Sequence, residues 1–560
     1  MFPLSCASGL PVGKNNESVR EKRRPFPAAG MDSVEDKIEG EAARKDEESL
    51  SEPSEEEEPE GDEPRKDRGA VVGEVVEVTD SEKKKTDGGP RQKLRIRTVT
   101  WNVAGADPPS DLSVLLGLDA ADGPPDMVAI GLQELRVRPD RLLWDALLGD
   151  AWSLQLMHLL APHGLVRLEY VRLQGTLILI FLHVDLLSLA SSVSTSYTRT
   201  GLYGYWGNKG GVSIHLTMGT LSLCFLNCHL PAHLTAGAQR LENLKLILTQ
   251  LAGGTELDGA GALSADADGV EVVAGGGGGY QPEADLLFCL GDLNSRIDDY
   301  GNHFIKKSIT SGQMHHLLVK DQLNAARLQE PFLAGFHEGP LRFPPTYKFD
   351  IGSDNYDSSQ KRRKPAWTDR ILWRMKGHSR VGTTGCTQNQ NNPRISLEKY
   401  ESHPSFTTSD HKPVSACFNL LLELTVREPL VTLWVMGSWN HDLEDEELCF
   451  ALRKDFTSSS WDWIGLFREG FWHHKDYVSY MWAQDNQWKS GIEEYRLCFP
   501  RELIPKGGGA HRLGYYGSAH GHLVGMSPTF SLQHATTSTS TLTRCIKAHN
   551  QSGNVLYAPA

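Results

Sequence analysis

The chain has 560 residues, 39% of them hydrophobic and 8% aromatic, and a formal net charge of −14. That length exceeds one compact core and that hydrophobic share describes globular material, which excludes a wholly disordered or fibrous chain. The acidic balance speaks against a protein built to coat nucleic acid, although the dense acidic run Glu47–Asp62 supplies much of the excess and leaves the remainder closer to neutral.

From the first residue to about 92 the sequence is rich in Glu, Lys, Pro, Ser and Gly with few large apolar side chains. Such a segment buries too little surface to offset its ordering entropy, so disorder is expected for 1–92. Regular structure is predicted to start at Leu94, where Leu94, Ile96 and Thr98 alternate with Arg95, Arg97 and Val99 before Trp101-Asn102 closes a strand. Further strands are predicted at Asp126–Leu132, Gly175–Phe181, Gly211–Leu216, Leu221–Asn227 and Asp285–Leu290. Leu241, Leu244, Leu248 and Leu251 have helical spacing, which puts a helix over Arg240–Leu251. Strands interleaved with helices over 93–422 make a layered α/β sandwich the expected fold class. Polar, Gly- or Asn-rich stretches at 253–283 and 378–394 read as surface insertions.

From about Glu423 the texture changes. Candidate strands follow at Leu430–Met436, Asp462–Phe467, Tyr477–Trp482, Tyr495–Phe499, Leu513–Tyr516 and Thr529–Leu532 with no clear helix between them. That is the pattern of a small all-β sandwich over 423–533, with Trp461, Trp463 and Trp482 assigned to its core and a loose tail at 534–560.

Nine cysteines show no framework spacing and no signal-peptide core opens the chain, so free thiols in a reducing, cytoplasmic setting are expected. Cys224, Cys228 and His229 lack a second ligand pair for zinc, and their segment alternates as a strand does. The apolar stretch Gly175–Val193 is broken by His183 and Asp185 and falls short of the roughly 20 apolar residues that a membrane helix needs.

Polar residues at strand ends carry the chemistry: Trp101-Asn102-Val103, Gln133-Glu134, Asn208-Lys209-Gly210-Gly211, Asn227-Cys228-His229-Leu230, Gly291-Asp292-Leu293-Asn294, Pro365-Ala-Trp-Thr-Asp369-Arg370 and Ser409-Asp410-His411-Lys412-Pro413. Each strand can deliver one or two side chains to a common rim, and period-two geometry puts Asp292 and Asn294 on one side, about 7 Å apart. A carboxylate and an amide so placed can share one phosphate. Magnesium takes few carboxylates together with water and substrate oxygens, so a single Glu suffices as an anchor, and the metal neutralises and orients a phosphoryl group. An acid–histidine pair fixes an imidazole tautomer or holds the ring charged against the phosphate. No Cys-x5-Arg loop is present, which leaves water as the nucleophile by elimination.

Gly291-Asp-Leu-Asn-Ser-Arg296, Pro365-Ala-Trp-Thr-Asp-Arg-Ile-Leu-Trp373 and Ser409-Asp-His-Lys-Pro413 resemble the signature blocks of the inositol polyphosphate 5-phosphatases, within the endonuclease/exonuclease/phosphatase fold class. The resemblance covers roughly 93–420 and implies a four-layer α/β sandwich and a magnesium-dependent phosphatase. It implies Glu134 as the Mg2+ anchor with Asn102 and Asp410 nearby, Asp292 orienting or deprotonating the attacking water, and Asn294 holding the phosphate. It also implies His411 stabilising or protonating at the scissile phosphate, Asp369 orienting a histidine, and His229 as a candidate proton donor to the leaving oxygen. The family's pocket for a neighbouring 4-phosphate carries over to Tyr347, Lys348, Lys361 and Arg363, with Asn208 and Lys209 facing the same site. The family usually has an aromatic residue where Ser295 stands, and often aromatics in place of Cys289 and Leu290; these departures concern the pocket wall.

Ser460-Trp-Asp-Trp-Ile-Gly-Leu-Phe467 and Lys475-Asp-Tyr-Val-Ser-Tyr-Met-Trp482 resemble the SKICH domain, an immunoglobulin-like β-sandwich that follows the catalytic module in a small subset of this family. The resemblance implies hydrolysis of the 5-phosphate of phosphatidylinositol 4,5-bisphosphate and the 3,4,5-trisphosphate, with soluble inositol polyphosphates as further substrates. It further implies phosphoinositide head groups and a membrane or protein partner of the SKICH domain, recruitment to plasma-membrane ruffles or endoplasmic reticulum, and no nucleic acid. Two rival functions use the same parts: a nuclease on the same layered fold, and a non-catalytic adaptor that presents the β-sandwich.

Overall fold

The computed structural model describes residues 91–136, 150–201, 206–252, 283–376, 394–423, 429–436, 445–484, 494–506 and 508–533, with 204, 439 and 488–489. The acidic N-terminal region and the insertions at 253–283 and 378–394 fall outside the described residues except at their margins, and the tail at 534–560 falls wholly outside.

Among the described residues, twelve strands form the first domain: β1 (Arg91–Asn102), β2 (Met127–Gln133), β3 (Leu165–Leu173), β4 (Thr176–His183), β5 (Ala190–Gly201), β6 (Trp206–Met218), β7 (Leu221–His229), β8 (Leu286–Asp292), β9 (His337–Glu338), β10 (Asp369–Met375), β11 (Ile395–Ser402) and β12 (Val414–Glu423). They make two six-stranded sheets, ordered β11-β12-β1-β2-β4-β3 and β5-β6-β7-β8-β10-β9. Strands β2, β7 and β8 are buried along almost their whole length, which is why their sequences run nearly unbroken in apolar residues rather than alternating. The central core lies between the sheets, where Ile96, Ala129 and Ile180 of one meet Ile214, Phe225 and Phe288 of the other. Outside the first sheet, Trp152 and Leu156 of helix α1 (Ala151–Leu160) pack on Val128, Ile130 and Phe181. Outside the second, Leu244 and Ile247 of α2 (Gly237–Leu251) join Leu226, Leu287 and Cys289. Helix, sheet, sheet, helix: this is the four-layer α/β sandwich.

Several boundaries differ from the sequence reading. β1 begins at Arg91 rather than Leu94, because Arg91, Gln92 and Lys93 continue the ladder against Glu423, Leu422 and Leu421 of β12; a long partner extends a strand whatever its side-chain pattern. The Ser/Thr-rich β5 was not legible as a separate strand: it is the edge of its sheet, half-exposed along much of its length, and lacks an apolar face.

The second domain is all β. Its strands β13 (Val431–Val435), β14 (Glu446–Leu452), β15 (Trp463–Arg468), β16 (Ser479–Trp482), β17 (Trp488–Lys489), β18 (Glu494–Phe499), β19 (Gly509–Gly517), β20 (His522–Met526) and β21 (Phe530–Leu532) make two sheets, β13-β14-β18-β17 and β16-β15-β19-β20, with β21 beside β19. Leu433, Trp439, Phe450, Leu466, Leu497 and Tyr515 fill the space between them. The assignment of Trp461, Trp463 and Trp482 to this core is corrected. Trp461 is 69% exposed, Trp463 and Trp482 are half-buried, and the three join Tyr477 and Tyr480 in an aromatic ladder over edge strand β16. Trp461 precedes β15 in a turn, so strand alternation does not govern it. Against the first domain, the segment after β15 covers the open edge of β3: Arg167 N donates to the Trp472 carbonyl at 2.9 Å, and Arg512 pairs with Asp185 at 3.0 Å.

Candidate active site

The site grows from strand register. On β8 the ladder sets Asp292 opposite His229 of β7 on one side and opposite Asp369 of β10 on the other. In the neighbouring sheet Asn102 and Gln133 end paired strands. Two parallel strands and one antiparallel strand thus deliver their terminal polar residues to the same end of the sandwich. Gly291 makes the close approach possible: at its φ of 140°, a Cβ would sit 2.0 Å from the Cys228 carbonyl oxygen. Glu134 and Asn294 follow β2 and β8 in left-handed conformations, φ 57° and 51°, which turn their side chains off the strand ends. Asn tolerates that region; for Glu134 it carries a strain of order 1–3 kcal/mol, held by the surrounding structure.

Asp292 is the hub and is 1% exposed. Its Oδ2 accepts from Asn102 Nδ2 at 3.0 Å and Asn294 Nδ2 at 3.1 Å, and its Oδ1 accepts from Asn294 N at 3.0 Å. Burial raises its pKa, opposed by the charge of His411 and reinforced by that of Asp369. Asn294 also donates to the Leu230 carbonyl at 2.9 Å, and its Oδ1 accepts from Arg296.

Opposite, His411 Nδ1 donates to Asp369 Oδ2 at 2.9 Å, and Asp369 also accepts from Thr346 Oγ1 at 2.7 Å and Thr368 Oγ1 at 2.8 Å. The loop bearing His411 is tied to β1, since Trp101 Nε1 donates to the His411 carbonyl at 3.0 Å and Ser409 Oγ to the Asn102 carbonyl at 2.7 Å. Burial alone would lower the His411 pKa; the charge and hydrogen bond of Asp369, with Asp292 and Asp410, override it and raise it to about 9. The folded value thus lies above the ordinary 6.5, so the pair's stabilisation is complete below pH 6.5 and is lost as pH rises through 9. We expect the melting temperature of the wild type to fall across that window by more than that of His411→Gln, measured by differential scanning fluorimetry in chelator.

His229 sits beside Glu134 and Asp292. Its Nε2 lies 3.5 Å from Glu134 Oε1 and 3.6 Å from Asp292 Oδ2, and Lys209 Nζ donates to the same nitrogen. Burial, then the charges of Lys209 and His411, push its pKa well down. Ligand atoms of Glu134, His229 and Asp292 lie within 4.8 Å of one another. An exposed carboxylate beside a buried one, with the Asn102 amide attached, suits a hard divalent cation. Asp292, Asp369 and His411 form a second close group, but there the Asp369 carboxylate is committed to hydrogen bonds.

Not all expected residues join. Asp410, expected near the metal, holds Lys348 at 2.5 Å. Lys348 is accordingly absent from the wall of the basic cavity, about 290 Å³, that Arg296, Tyr347, Lys361 and Arg363 line. Asn208 is exposed, and its side chain makes no hydrogen bond among the described residues. Arg296 was missed as a site residue although it ends the quoted Gly291–Arg296 block; its guanidinium lies 4.3 Å over the Tyr347 ring and joins Asn294 to the cavity. Thr346 and Thr368 were also missed, because nothing in sequence distinguishes a hydroxyl that fixes a carboxylate.

Residues 99–417 match the endonuclease/exonuclease/phosphatase family 2 model and residues 431–532 the SKICH domain model. The chain is 44% identical over 444 residues to the phosphatidylinositol 4,5-bisphosphate 5-phosphatase A of Rattus norvegicus, which covers 78% of this chain but only 42% of that protein. It is 40% identical over 440 residues to the inositol polyphosphate 5-phosphatase K of Mus musculus, covering 78% of this chain and 90% of that protein. Among solved structures, the inositol polyphosphate 5-phosphatase domain of SPsynaptojanin, in complex with inositol (1,4)-bisphosphate and calcium, matches with a TM-score of 0.47 and 27% identity, covering 60% of this chain and 87% of that one. The chain belongs to the inositol polyphosphate 5-phosphatases, in the subset whose phosphatase domain is followed by a SKICH domain.

Proposed function

We propose that the chain is a magnesium-dependent phosphatase that hydrolyses the 5-phosphate of phosphatidylinositol 4,5-bisphosphate and of the 3,4,5-trisphosphate, and of soluble inositol polyphosphates. The observation that carries this is a buried, amide-held carboxylate, Asp292, close to a carboxylate-fixed imidazolium, His411, with a cavity of cations joined to it through Arg296 and Asn294. Glu134, with Asn102, would hold the magnesium, which when bound neutralises phosphoryl charge.

Asp292, a stronger base for its burial, takes a proton from the attacking water. The water oxygen bonds to phosphorus as the bond from phosphorus to the inositol oxygen breaks. His411, kept protonated by Asp369, gives the leaving oxygen its proton and opposes charge on the phosphoryl group. Asp292 then releases its proton to solvent and His411 regains one, so the proton count closes. Asn294, fixed by Leu230 and Arg296, holds the phosphate.

Lys361, Arg363 and Arg296 beside Tyr347 supply the neighbouring 4-phosphate with charge-assisted contacts, roughly twice as strong as neutral ones. Lys361→Ala combined with Arg363→Ala is expected to cut kcat/KM on the 4,5-bisphosphate about tenfold or more beyond any loss on a 5-monophosphate. A phosphate-release assay on both lipids measures this; equal losses would remove the 4-phosphate assignment. The SKICH domain is proposed to recruit the enzyme from the cytoplasm to a membrane surface bearing these head groups, with the aromatic ladder over β16 on its exposed face.

A further inference from the structure

After α3 (Asn302–Thr310) the chain forms α4 (Gln322–Gln329), and between α2 and α4, behind the catalytic loop, lies a second cavity of about 190 Å³ that the reaction does not use. Its floor is aliphatic: Leu244 comes from α2, Leu323 from α4, and Leu230 and Leu293 directly follow His229 and Asp292. Ser295 and Ala326, both small, line the wall beside the polar Asp298, Gln322 and Gln329. A volume of about 150 Å³ is enough to admit a benzene ring.

One cation lines it. Arg240 is 4% exposed. Its Nη1 donates to the carbonyls of Pro231 at 3.0 Å and His233 at 2.6 Å; its Nη2 donates to Gln322 Oε1 at 2.5 Å and, at the 3.5 Å limit, to the Leu234 carbonyl. All four acceptors are neutral, and among the described residues Arg240 forms no ion pair with a carboxylate. Asp298, in the same wall, accepts from Gln322 Nε2 at 2.7 Å instead. Burial, then the nearby charge of Arg296, lowers the guanidinium pKa to about 10, opposed by the charges of Asp292 and Asp298. A buried planar cation hydrogen-bonded only to neutral acceptors, at the side of an aliphatic hole, has the requirements of a site for an anion with an apolar body.

We propose that this cavity binds a single-ring aromatic carboxylate of benzoate size, its ring on the leucine floor and its carboxylate on Arg240. The ring would rest on Leu230 and Leu293. The Leu230 carbonyl accepts from Asn294 Nδ2 at 2.9 Å, and Leu230 N donates to the Asp292 carbonyl at 3.0 Å, so the occupant touches the backbone that sets both site residues.

The test titrates the full chain with 4-fluorobenzoate and, separately, with the neutral 4-fluorobenzyl alcohol, read by fluorine NMR. The expected result is saturable binding of the carboxylate, about tenfold or more tighter than the alcohol. It should be lost in Ala326→Phe, which fills the cavity from α4, and weakened about tenfold in Arg240→Gln, with folding of both checked by circular dichroism. Absence of saturable binding at millimolar carboxylate, equal binding of the alcohol, or binding that survives in folded Ala326→Phe would each overturn the proposal; the last assigns the anion to the basic cavity. The wild-type comparison of the two probes needs no variant, and no arm depends on phosphatase activity.

Discussion

Asp292→Asn should leave a folded protein whose turnover is lower by about 10²–10⁴-fold, the range that a positioned general base supplies. The substitution keeps the shape of the side chain and the acceptor that Asn294 N meets at 3.0 Å. It replaces the oxygen facing Asn102 Nδ2 and Asn294 Nδ2 by an amide nitrogen, so donors face a donor at distances near 3.0 and 3.1 Å. Asn102 cannot simply turn over to accept, because its Oδ1 already takes the Ala104 amide at 3.0 Å. Against that conflict stands relief of a buried negative charge, whose pKa burial raises. The two effects oppose, and net stability should stay within about 2 kcal/mol of wild type. Urea unfolding together with steady-state phosphate release separates them: unchanged folding with lost turnover is expected, and retention of more than a tenth of the activity would remove Asp292 from its role.

The largest stability effect is expected at Arg370, which no reacting atom touches. It is the second residue of β10, next to Asp369, and its side chain is wholly buried. The guanidinium forks onto both oxygens of Glu338 at 2.6 and 2.7 Å, reaches Asp321 at 2.8 Å and donates to Asn324 Oδ1 at 3.0 Å. Arg370→Met would leave Asp321 without its buried cation and Glu338 held by Arg327 at 3.3 Å and Tyr400 Oη at 3.1 Å, at a cost of about 3–5 kcal/mol. Asp321 also accepts from Ser295 Oγ at 3.0 Å, while Ser295 Oγ accepts from Leu323 N at 2.9 Å. The network thus ends at the residue after Asn294, and the variant should lose turnover as well as stability. Neutralising the two acids in Arg370→Met/Glu338→Gln/Asp321→Asn should recover most of the loss in guanidinium unfolding. No recovery would mean that the cost lies in packing rather than in unpaired charge.

How much of this was legible beforehand depended on distance along the chain. Strands buried on both faces announced themselves by apolar runs, and their polar terminators named Asn102, Glu134, His229, Asp292 and His411 as convergent. Periodicity is local, so it carried the helix at Gly237–Leu251 but not β5, an edge strand with a polar face. Motif order identified the residues without giving their partners. Lys348 belongs to the quoted cationic set, yet its salt bridge is to Asp410, 62 positions away. His229 is named by its motif, but its neighbours Lys209 and Glu134 become visible only in the fold. Trp461 failed for the opposite reason: an aromatic in a strand-rich segment was assigned inward, while the turn before β15 leaves it in solvent. Support such as Thr346 on Asp369, or Arg370 on Asp321, has no local signature, because it exists only once the sheets have packed.

The most direct measurement follows each phosphate of soluble inositol 1,4,5-trisphosphate by phosphorus NMR during incubation with the full chain and magnesium. The 5-phosphate resonance alone should decay into inorganic phosphate, and chelation should stop it. An unchanged trisphosphate, or loss of the 1- or 4-phosphate instead, would contradict the account.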